Sequence, residues 1–429
     1  MTTDADVIIA GAGPAGSLAA YELAVRGIPV LILEKSSFPR YKVCGAGLTY
    51  KILDEIPFDI SFVLETQINT IIFSTGFGER FSRTSAEPMM FCTNRDKFDD
   101  YLLRKAVDAG ARVIHGEKVM EVTQNQACVI VVTRTGSFRS KLLIGADGAS
   151  SAVARSAGLR DHILPGMAWE AEVSADPETV KAFSQTVFLD WGSFPGGYGW
   201  VFPKGDHFSI GVGGPASLAK WMMPYYQKLL EYLSCGASDL QGAPKSEIRN
   251  PNRSEAELGG AKSEIRILDT MSLKSWPIPV RVKKSRFHCG RILVAGDAAG
   301  LTDPMTGEGI YYAVRSGKIA ARCCDEYLKS KSPSLESYTK TVNDELMNEL
   351  LEANRIKFLF NTVPGKIHRF VRDSERAWRA FGKILRGERC YVDVPAGFGK
   401  WKVLWGAACF VSKWISAFKE IRFSKKGFN

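Results

Sequence analysis

A glycine-rich turn between two apolar runs constrains this chain more than any other feature. The run Asp6 to Ala10 leads directly into Gly11, Gly13 and Gly16, which have the spacing G-x-G-x-x-G. A second run, Val30 to Leu33, follows after a helix-like stretch. Glycines at this spacing permit a tight turn, and the helix N-terminus after it attracts a pyrophosphate. The pattern predicts a β-α-β unit that binds a dinucleotide.

The edges of this unit carry further signals. Pro14 is a favoured first helical residue, and Gly27 is typical of a helix C-terminus. Glu34 ends the second run about 20 residues after the glycines, where an acid accepts hydrogen bonds from an adenosine ribose. We therefore assign Ala15, Glu34 and Lys35 to the same binding site as the three glycines. A glycine turn without a ligand is the alternative.

Composition limits the class of protein and its compartment. The 429 residues are 45% hydrophobic, which allows a large core and two or three structural units. The nine cysteines are odd in number and form no C-x-x-C pair, so we expect neither a disulfide framework nor a metal site. The N-terminal sequence MTTDADVIIA lacks the basic start of a signal peptide. We expect a cytoplasmic protein in a reducing compartment.

Strand and helix signals beyond the first unit indicate a discontinuous organisation. Apolar runs between Val113 and Ile144 continue the first sheet, whereas the aromatic, glycine-rich segment from Leu159 to Lys284 indicates antiparallel strands. The sheet signal returns at Arg291 to Ala295, and a long helical pattern follows from Gly309 to Leu328. Ser234 to Lys262 is polar and contains few large apolar residues, which predicts a surface insertion.

Two later segments distinguish which dinucleotide is bound. The p-hydroxybenzoate hydroxylase-type flavoproteins have three sequence fingerprints. This chain resembles the second at Leu142 to Arg155 (LLIGADGASSAVAR) and the third at Arg291 to Ile310 (RILVAGDAAGLTDPMTGEGI). All three fingerprints occur in the order of that superfamily. The resemblance implies that the dinucleotide is FAD.

The third fingerprint implies contacts with the flavin. Asp297 follows an apolar strand and would hydrogen-bond a ribityl hydroxyl, with a helix N-cap as the alternative role. Gly307 and Gly309 lie where a helix begins, and its N-terminus would stabilise negative charge at the N1 and C2 carbonyl edge of reduced flavin. Gly296 and Ile310 adjoin these residues, and we assign them to the same site.

Two residues outside that segment complete the predicted cofactor site. Asp147, in the sequence GADG, matches the superfamily's aspartate near the cofactor, and a purely structural turn is the alternative. Arg95 heads a helical stretch and matches the superfamily's arginine near the phosphate or ribityl region of the flavin. A surface arginine is the alternative for that position.

A narrower resemblance concerns the substrate. Three segments are similar to the geranylgeranyl reductase family: Phe38 to Leu48 (FPRYKVCGAGL), Tyr198 to Lys204 (YGWVFPK) and Gly387 to Val394 (GERCYVDV). That family reduces isolated double bonds in prenyl chains of lipids, chlorophyll precursors or quinones. The resemblance implies an FAD-dependent reductase of such a chain. A flavin monooxygenase of the same fold and a membrane-associated electron carrier are the alternatives.

This family places the sequence around Cys44 beside the isoalloxazine. The resemblance implies that Cys44 and Gly45 border the reaction, and the Cys44 thiol would donate a proton or shape the pocket, with an inert buried cysteine as the alternative. The family commonly has C-G-G-G here, whereas this chain has Ala46, whose methyl group would narrow the loop. We assign Cys44 and Ala46 to the cofactor site as well.

Three aromatic residues alternate along a strand that the family places by the substrate. Tyr198, Trp200 and Phe202 would share one face and line a hydrophobic slot for a prenyl chain, or they belong to the core. We assign Tyr198 and Trp200, together with Cys44 and Gly45, to the catalytic set.

The resemblances divide the chain into three parts. We expect an α/β fold with a Rossmann-type FAD-binding domain, an antiparallel-sheet substrate domain and a helical C-terminal region. The FAD-binding domain comprises residues 1–70, 93–158 and 285–350, the substrate domain comprises 71–92 and 159–284, and the C-terminal region comprises 351–429. No second G-x-G-x-x-G occurs, so the sequence encodes no separate nicotinamide domain. The electron donor is either NADPH or a ferredoxin-like carrier.

The C-terminal region carries the positive charge of the chain. It has 17 Lys and Arg against six Asp and Glu, whereas the whole chain has a net charge of +10. Apolar and basic residues mix from Lys366 to Arg386 and from Trp401 to Lys426, which indicates amphipathic helices. The apolar stretch Val403 to Phe418 is shorter than the roughly 20 residues that span a bilayer.

Two interpretations of this region remain open. Apolar anchors with basic flanks favour peripheral binding to an anionic membrane surface. The alternative is a set of helices that pack on the FAD-binding domain with a solvated basic face. No nucleic-acid module accompanies the basic residues, so we expect no nucleic-acid partner.

Overall fold

The computed structural model describes residues 3–234, 265, 267–270, 273–330, 334–395 and 402–426. Apart from Ser234, the predicted surface insertion at Ser234 to Lys262 lies outside these residues. The strands are β1 (Ala5–Ala10), β2 (Val30–Glu34), β3 (Gly47–Thr49), β4 (Leu64–Ile68), β5 (Thr70–Thr75), β6 (Arg80–Thr84), β7 (Met90–Thr93), β8 (Arg112–His115), β9 (Glu121–Gln124), β10 (Val129–Val132), β11 (Ser137–Gly145), β12 (Ile163–Ala175), β13 (Thr186–Trp191), β14 (Tyr198–Pro203), β15 (His207–Pro215), β16 (Ile267–Thr270), β17 (Lys274–Arg281), β18 (His288–Cys289) and β19 (Ile292–Val294). The helices are α1 (Pro14–Ala24), α2 (Arg95–Asp108), α3 (Ala152–Ser156), α4 (Pro177–Ala182), α5 (Met222–Ser234), α6 (Ile310–Leu328), α7 (Glu336–Thr341), α8 (Asn348–Thr362), α9 (Pro364–Asp373), α10 (Glu375–Leu385) and α11 (Lys402–Lys426).

The first sheet is built around parallel strands. Its order is β18-β19-β11-β1-β2-β8, and Ile9 of β1 lies opposite both Ile32 of β2 and Ile144 of β11. β1 and β2 are apolar runs that are almost wholly buried, as expected for strands inside a parallel sheet. Helix α1 connects them and packs against α6 and α2. The predicted β-α-β unit and the Rossmann-type fold are confirmed.

The second sheet has the order β16-β12-β15-β14-β13-β5-β6, with β17 also paired to β12. Its strands are antiparallel, as predicted, except that β5 runs parallel to β13. The exception arises because β5 comes from a distant part of the chain and joins the sheet beside β13, with no hairpin turn between them. A three-stranded sheet, β3-β7-β4, is the third sheet.

Alternation along β14 determines which side chains face the site. Tyr198, Trp200 and Phe202 line the cleft described below, whereas Val201 belongs to the core on the opposite face. Helix α5 covers that opposite face so closely that a β-carbon on Gly199 would lie 2.8 Å from the hydroxyl oxygen of Tyr225. The three aromatic residues therefore border a cavity and do not belong to the core between β14 and α5.

Two of the C-terminal helices, α9 and α10, lie against the second sheet. Helix α9 contacts β5 and β6, and Trp378 of α10 packs edge-on against Phe73 of β5. Helix α11 packs along α8. The alternative that the tail packs on the FAD-binding domain is therefore wrong for α9 and α10, because apolar residues of α10 are buried in one hydrophobic cluster with Ile71 and Phe73 of β5.

Candidate functional site

A single cleft of about 1360 Å³ runs past both large sheets. Its volume exceeds the roughly 300–1,000 Å³ that is usual for one small ligand, so it has room for a dinucleotide and a second molecule. Every site residue predicted from the sequence lines it except Gly16 and Gly296. These two glycines lie just behind the lining, where backbone and helix meet closely.

The glycine turn forms one end of the cleft. Gly11 has φ +96°, and a β-carbon there would lie 2.5 Å from the carbonyl oxygen of Ala146. A β-carbon on Gly16 would lie 1.9 Å from the carbonyl oxygen of Gly11, so α1 could not approach the turn with any other residue. Gly13, in contrast, has open space beside it and is the N-cap of α1. This is the geometry of an anion cradle at a helix N-terminus.

Glu34 is held in place by the same turn. Its carboxylate accepts hydrogen bonds from the backbone N–H of Ala12 at 2.7 Å and of Ser36 at 2.9 Å. The side chain is buried, whereas the neighbouring Lys35 is exposed. A carboxylate has about four lone-pair positions, so acceptor capacity remains for a ribose hydroxyl. The ribose contact itself stays a prediction.

A buried cluster of two arginines and an aspartate lies farther along the cleft. Arg95 is buried and makes two hydrogen bonds to Asp99, from Nε at 2.8 Å and from Nη2 at 2.7 Å. A surface role for Arg95 is therefore wrong. Arg40 also donates to Asp99, at 3.1 Å, and its Nη1 is buried without a hydrogen-bond partner among the described residues. Arg40 lies in the motif FPRYKVCGAGL, but no local sequence pattern indicates this role.

Asp147 shapes the turn after β11. Its carboxylate accepts hydrogen bonds from the hydroxyl of Ser151 and from the backbone N–H groups of Ala152 and Val153. Burial raises the pKa of this carboxyl group. These contacts give Asp147 the structural role of holding the start of α3 in the cleft wall. Direct contact with a cofactor remains a prediction.

The third fingerprint folds into a short helical turn and a loop before α6. Asp297 lies in the turn, and its side chain caps no helix: α6 begins at Ile310 with Gly309 as its N-cap. The N-cap alternative for Asp297 is therefore wrong. A β-carbon on Gly309 would lie 3.3 Å from Asp297 Oδ1, so that carboxylate borders the helix start. Gly307 has φ +72° and faces the hydroxyl of Tyr198.

Two acidic residues that the sequence analysis missed fix this loop. Glu308 is buried and accepts hydrogen bonds from the backbone N–H of Thr49 at 3.1 Å and from its hydroxyl at 2.6 Å. Asp303 accepts from the backbone N–H of Met305 at 2.7 Å and from the hydroxyl of Tyr391 at 3.1 Å. The loop is thus bonded both to β3 and to the C-terminal region.

A buried lysine holds the Cys44 loop through a backbone carbonyl group. Lys204 is 1% exposed, and its Nζ donates to the carbonyl oxygens of Gly45 and Thr93. The backbone N–H of Ala46 lies 3.3 Å from Cys44 Sγ. Cys44 is half-buried and lines the cleft. Lys204 ends the motif YGWVFPK, and no local sequence pattern indicates that it positions this loop.

The β14 aromatics meet this loop and the third fingerprint. The hydroxyl of Tyr198 donates to the carbonyl oxygen of Thr306. A β-carbon on Gly45 would lie 3.0 Å from Trp200 Nε1 and 3.1 Å from the Phe202 ring. The predicted catalytic set is therefore brought together at one place in the cleft.

Two observations test whether the cleft fits FAD. The turn leaves open space at Gly13 in front of the α1 N-terminus, where a diphosphate group would be stabilised. The unpartnered N–H groups of Arg40 Nη1 require an acceptor, and an anionic cofactor supplies one. The residues present therefore fit the group.

Comparison with known proteins gives the family. A family model described as an FAD binding domain matches residues 4–344. An uncharacterised protein of Methanosarcina barkeri is 34% identical over 363 residues, covering 84% of each chain. Digeranylgeranylglycerophospholipid reductase 1 of Methanopyrus kandleri is 29% identical over 359 residues, covering 80% of this chain and 86% of its own. Menaquinone reductase of Mycolicibacterium smegmatis is 30% identical over 340 residues, covering 75% and 76%.

Solved structures share the fold. A geranylgeranyl bacteriochlorophyll reductase-like protein of Thermoplasma acidophilum superposes with a TM-score of 0.69 at 24% identity, covering 87% of this chain and 92% of its own. A flavin-dependent brominase superposes with a TM-score of 0.66 at 21% identity, covering 90% and 94%. The fold is thus common to proteins with different flavin chemistries, whereas the sequence relatives include two that are named reductases. The chain belongs to the geranylgeranyl reductase family of FAD-binding oxidoreductases.

Proposed function

We propose that the protein is an FAD-dependent reductase that saturates isolated C=C bonds of a polyprenyl chain. The observation that carries this proposal is the course of the cleft. It continues from the FAD-binding turn past Trp200 and Phe202 to Phe358 and Phe360 of α8. An elongated, aromatic-lined cavity beside a flavin suits a long hydrocarbon chain. The relatives named for prenylated phospholipids and menaquinone support the same class of substrate.

The bound flavin would supply the hydride for this reaction. In our proposal, Tyr198 and Trp200 hold the alkene and exclude water from it. Lys204 positions the Cys44 loop against the same region through Gly45. Asp297 and Arg40 would hold the cofactor, Asp297 at the ribityl chain and Arg40 at an anionic group. Cys44 lies where it can shape the alkene site or donate a proton to it.

Helix α11 supports peripheral binding to an anionic membrane surface. Its residues Cys409, Ser412 and Ser416 are buried, whereas Trp414 is 67% and Phe418 is 64% exposed. Large apolar side chains therefore point outward and small ones inward, the reverse of a helix that serves only the protein's own core. Further exposed apolar residues on α11 are Phe410, Val411, Ile415 and Ile421.

Charge and position favour a lipid surface as the partner of this helix. Lys413, Arg422 and Lys425 are exposed on α11, and each basic residue near an anionic membrane contributes about 1 kcal/mol at most. Glu420 of the same helix lines the cleft. A lipid-borne prenyl chain would thus enter close to the bound surface. In the described part of the chain no helix is long and apolar enough to cross a membrane.

Two electron donors fit the proposal, NADPH and a ferredoxin-like carrier. Anaerobic mixing of the FAD-loaded protein with NADPH distinguishes them. Bleaching of the flavin absorbance at a rate that saturates with NADPH supports the nucleotide. Bleaching only with a reduced iron–sulfur carrier supports the protein donor.

Mass spectrometry of lipids and quinones from cells with and without this protein tests the proposed function. A gain of one H₂ per reduced bond in a prenyl species would support it and identify the substrate. No change in any prenyl species, from cells whose protein carries FAD, would contradict it. A product that forms only with oxygen and gains a hydroxyl group would instead indicate the monooxygenase alternative. A flavin that is reduced and reoxidised without converting any small molecule would indicate the electron carrier.

A further inference from the structure

Saturating an isolated alkene requires a proton as well as a hydride. The hydride bonds to one carbon, and the other carbon must receive a proton as the π bond breaks. No carbonyl group adjoins such an alkene to stabilise charge, so the proton must be supplied next to the reacting carbon. The following inference rests on the proposed function and concerns the source of that proton.

Glu170 is the one carboxylate of the second sheet that lines the cleft, among the residues that the structure describes. It lies on β12 opposite Gly211 of β15, which in turn lies opposite Trp200 of β14. The three residues form a row across adjacent strands and share the cleft face. A carboxylate in this row stands beside the aromatic residues that we propose to hold the alkene.

Gly211 has no side chain and therefore leaves room for the Trp200 ring between β14 and β12. A β-carbon there would lie 2.2 Å from the Trp200 ring, so the indole lies across this position toward β12. Trp200 Nε1 comes within 3.4 Å of the hydroxyl oxygen of Ser209, and that hydroxyl donates to Glu170 Oε1 at 3.0 Å. Glu170 is thereby connected to the indole that packs against Gly45.

The other oxygen of Glu170 is bonded to a residue that is much more exposed. The hydroxyl of Tyr41 donates to Glu170 Oε2 at 3.1 Å, and Tyr41 is 42% exposed although Glu170 is wholly buried. Tyr41 also lines the cleft, three residues before Cys44. The phenol therefore connects the buried acid to the cleft, from which water can reach it.

We propose that Glu170 supplies the proton to the second alkene carbon and that the Tyr41 hydroxyl restores it from solvent. The O–H bond of the Glu170 carboxylic acid breaks and a C–H bond forms, which leaves Glu170 as a carboxylate. The alkene gains this proton together with the hydride that the reduced flavin would supply, which accounts for its two-electron reduction. Tyr41 then passes its own proton to Glu170 while it accepts one from water, so the phenol stays neutral.

The surroundings of Glu170 keep the acid available at neutral pH. Burial, and after it the nearby Glu172 carboxylate, raises the pKa of Glu170 to about 7, against the hydrogen bonds of Ser209 and Tyr41. A donor must be protonated, so the rate should be full below this pKa and fall above it. The titratable or charged groups around Glu170 are Glu172 with its partner His207, Tyr41, Lys204, Tyr226 and Lys274.

The test is the pH dependence of alkene reduction in single turnovers of the prereduced, FAD-loaded protein with a prenyl substrate identified as above. For the wild type we expect the rate to fall as pH rises through about 7. Glu170→Gln keeps the shape of the side chain and removes its titration. We expect it to react more slowly by roughly a hundredfold or more below pH 7, with no fall near pH 7. Flavin content and the rate of flavin reduction should not change.

Glu172→Gln is the matched control. It removes a carboxylate that lies two residues away on the same face of β12. That carboxylate does not line the cleft. Because Glu172 raises the pKa of Glu170, this variant should retain the fall in rate and shift it to lower pH. Cys44→Ala should leave the midpoint of the fall in place.

An infrared titration of the oxidised, FAD-loaded protein gives a readout that does not depend on turnover. We expect a carboxylic-acid C=O band that disappears as pH rises through about 7 in the wild type and is absent from Glu170→Gln. A wild type that reduces prenyl chains, with a Glu170→Gln variant that keeps its rate and pH profile, would overturn the assignment of Glu170 alone. A wild type that reduces no prenyl chain would overturn the proposed function. The proposal that Glu170 protonates an alkene carbon would then fall with it.

Discussion

The loop at Ala46 adopts its conformation although it carries alanine where the family commonly has glycine. Its φ is +48°, in the left-handed region that glycine favours and other residues adopt at a cost of roughly 1–2 kcal/mol. The family's glycine at this position thus has a backbone reason. The loop tolerates alanine because Thr93 donates to the Ala46 carbonyl and Lys204 holds Gly45.

Replacing Ala46 by Gly should relieve this conformational cost. We expect the free energy of unfolding to rise by up to about 1 kcal/mol, because the relief exceeds the added freedom of the unfolded chain. Denaturant unfolding measures the change. Ala380→Gly, in the middle of α10, is the control and should lower the free energy by about 1 kcal/mol. An equal loss in both variants would contradict the argument.

Replacing Asp297 by Ala should weaken FAD binding. Loss of the proposed ribityl hydrogen bond to a charged acceptor corresponds to roughly a tenfold or larger rise in Kd. The flavin-to-protein ratio after purification and a titration of the apoprotein with FAD measure it. Asp96→Ala, at an exposed position on α2, is the control. Unchanged FAD affinity in Asp297→Ala would remove Asp297 from the cofactor site.

Replacing Cys44 by Ala should slow alkene reduction more than flavin reduction. The side chain borders the alkene region of the cleft, and its Sγ also holds the turn at Ala46. Stopped-flow absorbance separates the two steps, because the flavin bleaches when it is reduced and regains its colour when the alkene reacts. Equal rates in variant and parent for both steps would leave Cys44 an inert residue.

The sequence motifs contained most of the site residues but did not reveal the residues that hold them in position. The glycines, Glu34 and Asp297 could be predicted because their function depends on neighbours close in sequence. Arg40 and Lys204 could not, because their roles depend on Asp99 and Gly45, which are 59 and 159 residues away. Glu170 lies in no quoted motif, and only the pairing of β12 with β15 places it beside Trp200.

The sequence predicted helix α11 but did not determine which of its sides faces the protein. Its pattern predicted an amphipathic helix, but periodicity does not say whether the apolar side faces the protein or another phase. The structure places small residues against α8 and large ones outward. Lys419 anchors the helix by donating to the carbonyl oxygens of Asn361 and Thr362 at the end of α8.

The double variant Trp414→Ser, Phe418→Ser should lose binding to anionic liposomes. Burial of an aromatic side chain contributes about 1.5–3 kcal/mol, so a loss of more than tenfold in the partition coefficient is expected. Cosedimentation with vesicles of phosphatidylglycerol and phosphatidylcholine measures it, with bound FAD unchanged. Phe62→Ser removes an equally exposed aromatic residue outside α11 and should have no effect. Undiminished cosedimentation of the double variant would contradict the membrane proposal.

The cleft combines segments that are far apart in the chain. The glycine turn, β12, β14, the loop before α6, and α8 all line it. Local sequence patterns identified the two sheets as separate units, because each has its own periodicity and turns. They could not show that α8 and Glu420 reach the same cavity, since no local signal encodes packing between α8 and α11.

Tyr391→Phe tests the bond between the C-terminal region and the loop before α6. Removing one hydrogen bond to the Asp303 carboxylate costs about 1.5–3 kcal/mol, part of which should appear as faster FAD release. Fluorescence recovery of released FAD measures that rate. Tyr101→Phe removes a comparable hydroxyl, bonded to the Asp59 carbonyl, and should not change it. Identical release rates in all three proteins would show that the loop does not depend on Tyr391.

The bond between Tyr391 and Asp303 also bears on how this protein can be recombined. Asp303 belongs to the loop beside the proposed flavin site, and Tyr391 precedes the helix that faces outward. Glu349 clasps the same segment by accepting the backbone N–H of Tyr391 at 2.7 Å. The segment around Tyr391 therefore cannot be exchanged without affecting the loop beside the proposed flavin site. A chimera that takes this segment from a relative should therefore take the matching loop as well, because otherwise the bond between Tyr391 and Asp303 is lost.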